Sequence, residues 1–179
     1  MFEIRHLDPE QYRQQTRKST VIVAVLFAVL AMSLSALAVA LFGSPQGSNF
    51  RWNSAGVILG LVATIMLVRS VFWTKPWMAS AAYGWQLKRT LMGITNVMHH
   101  VEVGVKAGSP DAMKLLRFYH LGQIEMHHLD GNPQGLNDMN GEIDRHKQAM
   151  LEQELDVDQY QLNPAWLEQV QRNKPGASG

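Results

Sequence analysis

The stretch that decides the fold is residues 20–42, TVIVAVLFAVLAMSLSALAVALF. It runs for 23 residues without a charge, enough for a helix to cross a hydrocarbon core of roughly 30 Å. A second run, SAGVILGLVATIMLVRSVFW at 54–73, has one charge, Arg69, near its end. There a long cationic stem can reach the membrane interface. Trp52, Trp73, Lys75 and Trp77 supply interfacial anchors around this run. Two transmembrane helices are expected, at 20–42 and 54–74. A signal peptide is the competing reading of the first, because SALAVA resembles a cleavage pattern. The run is too long for one, and 19 residues including Glu3, Asp8 and Glu10 precede it.

Flanking charge sets the expected orientation. Arg5, Arg13, Arg17 and Lys18 precede the first span, and Lys75, Lys88 and Arg89 follow the second. The connecting loop at 43–53, with Pro45, Gly47 and Asn49, holds only Arg51. This bias places both termini in the cytoplasm and the connecting loop outside. The loop is too short for a domain, so the spans form an antiparallel hairpin. Ser33, Ser35 and several alanines make one side of the first span small, and Gly56 and Gly60 form a G-x-x-x-G pair in the second. Small surfaces let helices approach closely, either within the hairpin or across a dimer.

Composition narrows the chemistry. Charged residues are 17% of the 179, against about 25% for an ordinary soluble domain. A net charge of +1 and the absence of a dense basic surface argue against nucleic acid as a partner. No cysteine is present, which excludes disulfides, iron–sulfur clusters and thiolate zinc sites. Phosphate-loop, dinucleotide and zinc-protease motifs are missing as well.

Around the hairpin, Asp8-Pro9-Glu10 in residues 1–19 reads as a helix start. Residues 75–162 read as a cytoplasmic module of three helices. The first, from about Ala79 to Lys106, carries the stripe Leu87, Leu91, Ile94, Met98, Val101 and Val105. Ser109-Pro110-Asp111 opens the second, with Leu115, Leu116, Phe118, Tyr119, Ile124 and Leu129, and DGNPQG stops it. The third starts near Asp138 to Glu142 and reaches about Leu155, with Met139, Ile143, Met150 and Leu151 on its apolar side. Residues 163–179 hold a short helix from Pro164 and the tail NKPGASG, expected to be disordered. The fold class is therefore all-α: an N-terminal antiparallel transmembrane hairpin followed by a small cytoplasmic three-helix module.

Six of the seven histidines lie between His99 and His146, interleaved with glutamates. His99 and Glu102 share a helical face, as do Glu125 and His128, and Glu142 and His146 are four apart. A turn at Gly108 could bring His120 toward His99 and Glu102. These seven residues, His99, Glu102, His120, Glu125, His128, Glu142 and His146, are the metal candidates, for a divalent ion such as Fe or Zn. Two-metal carboxylate bundles need two E-x-x-H pairs on four helices, and one strict pair on three helices is present here. The preferred reading has no cofactor and treats these groups as surface, capping or hydrogen-bonded core residues.

The opening FEIRHLDPEQYRQQTRKST, the two spans and the continuation YGWQLKRTLMGITNVMHH resemble the DUF3087 family over nearly the whole chain. The resemblance implies a gammaproteobacterial inner-membrane protein with a helical cytoplasmic part, and carries over no catalytic residue. The expected function is that of a non-catalytic integral membrane protein, an accessory, scaffold or interaction subunit. Its partners would be the lipid bilayer and a second copy or a larger membrane complex. The rivals are a metal-dependent membrane-associated enzyme and a metal or pH sensor built on the His/Glu cluster.

Overall fold

The computed structural model describes residues 1–172, apart from the side chains of Leu136 and Asp138; the tail NKPGASG lies outside the described residues. The chain divides into two compact units, Gln14–Ala82 and Met1–Arg13 with Tyr83 onward.

The first unit is a helical hairpin. Helix α1 covers Pro9–Phe42 and starts in the preceding segment, where Asp8 Oδ1 accepts the Gln11 N–H at 2.7 Å. Helix α2 covers Phe50–Leu67 and widens into a π-helical turn at Val68–Phe72, closed by the Trp73 N–H on the Val68 carbonyl at 2.8 Å. Gly56 and Gly60 give α2 its seat on α1. A Cβ at Gly56 would stand 2.3 Å from Ser35 Cα, and one at Gly60 would stand 2.7 Å from Ala31 Cα. Backbones this close leave no room for any side chain. The G-x-x-x-G pair thus packs within the hairpin, in antiparallel register. Ser35 Oγ donates to Asn53 Oδ1 at 2.8 Å beside it, and Phe42 stacks on Trp52. A 3₁₀ turn at Pro76–Met78 follows, where Ser19 Oγ donates to the Trp77 carbonyl.

The other unit corrects the expected three-helix module. Among the described residues, six helical segments follow the hairpin: that 3₁₀ turn, α3 (Ala79–Thr95), α4 (Met98–Lys106), α5 (Pro110–Asp130), α6 (Pro133–Glu152) and α7 (Pro164–Arg172). The helix expected from Ala79 to Lys106 breaks at Asn96–Val97. Gly93, Thr95 and Asn96 are all weak helix formers. The Val97 N–H turns back to the Ile94 carbonyl, three residues earlier, before α4 begins. Helix α6 starts at Pro133 rather than near Asp138, because Asn132 Oδ1 caps the Gly135 N–H and Pro133 occupies the first turn. The DGNPQG signal therefore ends one helix and opens the next with almost no loop.

Helix α5 is the centre of this unit. Eleven of its 21 residues are buried, and α4, α6 and α7 pack around it. Leu91 of α3 lies against Gly122, where an added Cβ would come within 2.6 Å of its Cδ2. The short α7 is a core member, since Trp166 and Val170 are buried with Phe118, Leu115 and Ile94. Of the expected apolar positions, Leu151 alone among the named α6 residues is exposed. Gly131 ends α5 in the left-handed conformation, φ 68°, which glycine tolerates best.

A buried polar cluster and an N-terminal clamp

Helices α5 and α6 bring three of the seven candidate residues together. His120 and His146 meet edge to face, with ring centroids 5.3 Å apart. Both are buried, His120 at 1% exposure. His146 Nε2 lies 2.9 Å from the Met113 carbonyl, which accepts only, so this nitrogen carries the proton. Glu142 reaches in from the solvent side, its Oε1 3.8 Å from His120 Nε2. That is ion-pair range but too long for a hydrogen bond.

Arg117 stands one turn before His120 and is buried as well. Its Nε donates to the Val157 carbonyl at 2.9 Å, tying the segment after α6 to α5. Arg117 Nη1 and His120 Nδ1 are buried without a hydrogen-bond partner among the described residues. Burial pushes the His120 pKa down from 6.5 to about 4, with His146 and Arg117 adding to the effect. Burial also lowers His146, opposed by its bond to Met113 and by Glu142. At neutral pH the pair is therefore uncharged beside one buried cation, as desolvation and like charge require.

Glu125 plays a different part. Also buried in α5, it accepts the Leu7 N–H at 3.2 Å and lies 2.9 Å from His6 Nδ1. Tyr83 of α3 holds the same segment from the other side, accepting the Arg5 N–H at 2.9 Å and donating to the Arg5 carbonyl at 3.0 Å. Burial raises the Tyr83 pKa, keeping the hydroxyl protonated. The Ile4 N–H bonds the Tyr160 carbonyl, and Glu3 pairs with Gln161. Residues 3–7 thus form a strap clamped by α3, α5 and the chain before α7. His6, Tyr83 and Arg117 were outside the sequence-based candidate set. Nothing local marks them, because their partners lie 40 to 119 residues away.

The remaining candidates do not converge. His99 and Glu102 are exposed on α4, and His128 is exposed at the end of α5, whereas Glu125 is buried. Among the described residues, no group of three or more His, Asp or Glu is placed to hold a metal ion.

Fold and site together define an all-helical protein with two helices long and apolar enough to cross a membrane and a helical module that buries Arg117, His120, Glu125 and His146. A family model matches residues 2–167, and the chain belongs to DUF3087, a family described as proteins of unknown function. Neither the curated proteins nor the solved structures contain a match to it.

Proposed function

We propose that this chain is a small integral membrane protein of the bacterial inner membrane that anchors its helical module at the cytoplasmic face and serves as a non-catalytic accessory or scaffold subunit. The observation that carries this reading is the bare apolar surface of the hairpin. Only 6% of the most apolar window in α1 and 17% of that in α2 is buried, whereas a soluble core helix would be covered. Val25, Val29, Met32, Leu59, Ile65 and Met66 are all exposed. Burial of such side chains is favourable by roughly 25 cal/mol per Å², so this surface calls for an apolar solvent. A removable leader does not account for a second helix seated on the first through Gly56 and Gly60. The basic residues on the outer flanks of the spans favour cytoplasmic termini.

The scaffold role is supported by the direction of the polar groups. His120, His146, Arg117 and Glu125 serve internal contacts of the module instead of lining a common cleft. Carbonate extraction of membranes tests the anchoring, and the chain is expected in the pellet; release to the soluble fraction would refute it. Single cysteines at Ser48 and Gln148 test orientation, since the natural chain has none. An impermeant maleimide should label Ser48→Cys in spheroplasts with the inner membrane intact and Gln148→Cys only after they are broken. Elemental analysis of untagged protein separates this reading from the metal-dependent rival. One equivalent of metal that disappears in a His120→Ala/His146→Ala variant would favour the rival.

A further inference from the structure

Between residues 11 and 101 the chain holds eight Lys and Arg and no Asp or Glu, so all 15 acids lie elsewhere. The hairpin unit, Gln14–Ala82, contains Arg17, Lys18, Arg51, Arg69 and Lys75 and offers them no internal counter-ion. In the other unit, by contrast, Lys88 pairs with Asp130 at 3.0 Å. The hairpin also carries a groove of about 500 Å³ between the start of the α1 span and the end of α2. That volume falls within the range of roughly 300–1,000 Å³ usual for ligand sites.

Its walls are apolar, formed by Val23, Ala24, Phe27, Leu61 and Ile65, with Ala81 at one end. Three hydroxyl residues also line it, yet each hydroxyl is turned back on the backbone. Ser19 donates to the Gln15 and Trp77 carbonyls, Thr20 to Thr16, and Thr64 to Gly60. The hydroxyls lining the groove therefore have no free proton to donate to a ligand. Arg69 differs: it lines the groove, is exposed, and has no acid partner among the described residues. It sits in the π-helical turn Val68–Phe72, an irregularity frequent at functional sites. An apolar groove lined by one guanidinium without an acid partner among the described residues matches a molecule with a hydrocarbon tail and an anionic head. Guanidinium is also suited to bidentate phosphate recognition.

We propose that this groove binds one acyl chain of an anionic phospholipid, with the lipid phosphate at Arg69. The inference rests on the membrane reading above. Native mass spectrometry of the full chain released from detergent tests it, with phosphatidylglycerol and phosphatidylcholine of the same chain length as probes. Phosphatidylglycerol should be retained about fivefold better, the usual worth of one basic residue against anionic lipid. Arg69→Gln should abolish that preference, Arg69→Lys should restore most of it, and Arg51→Gln, in the first turn of α2, should leave it unchanged. Filling the groove with Ala24→Phe, or with Ala81→Leu as a milder variant, should lower retention of both lipids. Equal retention of the two lipids, or an unchanged preference in Arg69→Gln, overturns the proposal. So does conversion of a dimer to a monomer by Ala24→Phe, which would assign the groove to a second copy. Carbonate extraction of the same variants separates the two readings. Wild-type chain that leaves the membrane refutes anchoring, whereas anchored chain without lipid preference refutes only this site.

Discussion

Glu125 lies buried in the middle of α5, yet its carboxylate is 2.9 Å from Nδ1 of His6, which precedes it by 119 residues. The pair joins the first residues of the chain to the central helix of the module. The two partners differ sharply in setting, Glu125 being 2% exposed and His6 71%. Their removal should therefore have unequal effects. Glu125→Leu deprives the Leu7 N–H of its acceptor and should destabilise the module by about 1–3 kcal/mol. His6→Ala removes a largely solvated partner and should change stability by less than about 1 kcal/mol. Hydrogen exchange read along residues 2–7 checks both, with faster exchange expected only for Glu125→Leu. Equal exchange in the two variants would show that the strap is held elsewhere.

Acid should weaken the module through His120. Its folded-state pKa is about 4 against 6.5 when unfolded, so the unfolded chain takes up the proton first. Stability then falls as pH drops below 6.5 and goes on falling until about 4, where the folded state also protonates. The full loss is roughly 3 kcal/mol, and His146, lowered in the same direction, adds to it. Thermal melts of detergent-solubilised protein between these limits should show the decline. A His120→Leu variant should flatten it.

Arg117 is one of the charges that hold His120 down. Replacing it with methionine keeps a long apolar stem and removes the buried cation, along with the bond to the Val157 carbonyl. The His120 titration, followed by its imidazole proton shifts, should move upward from about 4 toward 6.5. A midpoint that stays in place would mean that burial and His146 set it without Arg117.

Two glycines should respond oppositely to alanine. At Gly56 the new Cβ would collide with the Ser35 backbone, and forced overpacking of this kind destabilises by about 1–3 kcal/mol. At Gly93 nothing lies within 4 Å, so alanine should stabilise α3 by up to about 1 kcal/mol through helix propensity. Thermal shift in detergent reads both signs. A tolerated Gly56→Ala would mean that the hairpin helices do not pack at this register.

Much of the local structure was legible before any packing was known. Asp8-Pro9 starts α1, Gly131 ends α5 and Pro164 opens α7, each by a rule acting within one turn. The module was misjudged as three helices chiefly because the break between α3 and α4 carries no proline, whereas α5, α6 and α7 each open on one. The interruption at Asn96–Val97 sits inside an unbroken apolar stripe, where periodicity carries straight across it. The candidate site was legible only in part. His120, Glu142 and His146 do converge, Glu125 is taken by the N-terminal strap, and His99, Glu102 and His128 stay on the surface.

By itself the sequence determined the two long apolar helices, their basic flanks and the all-helical class, because length, hydropathy and charge bias are properties of contiguous residues. Only the tertiary structure decided which histidines are buried, which glutamate meets His6, and that Arg69 lines the hairpin groove. Those outcomes depend on contacts between residues tens of positions apart. Burial and neighbouring contacts then give identical side chains different roles.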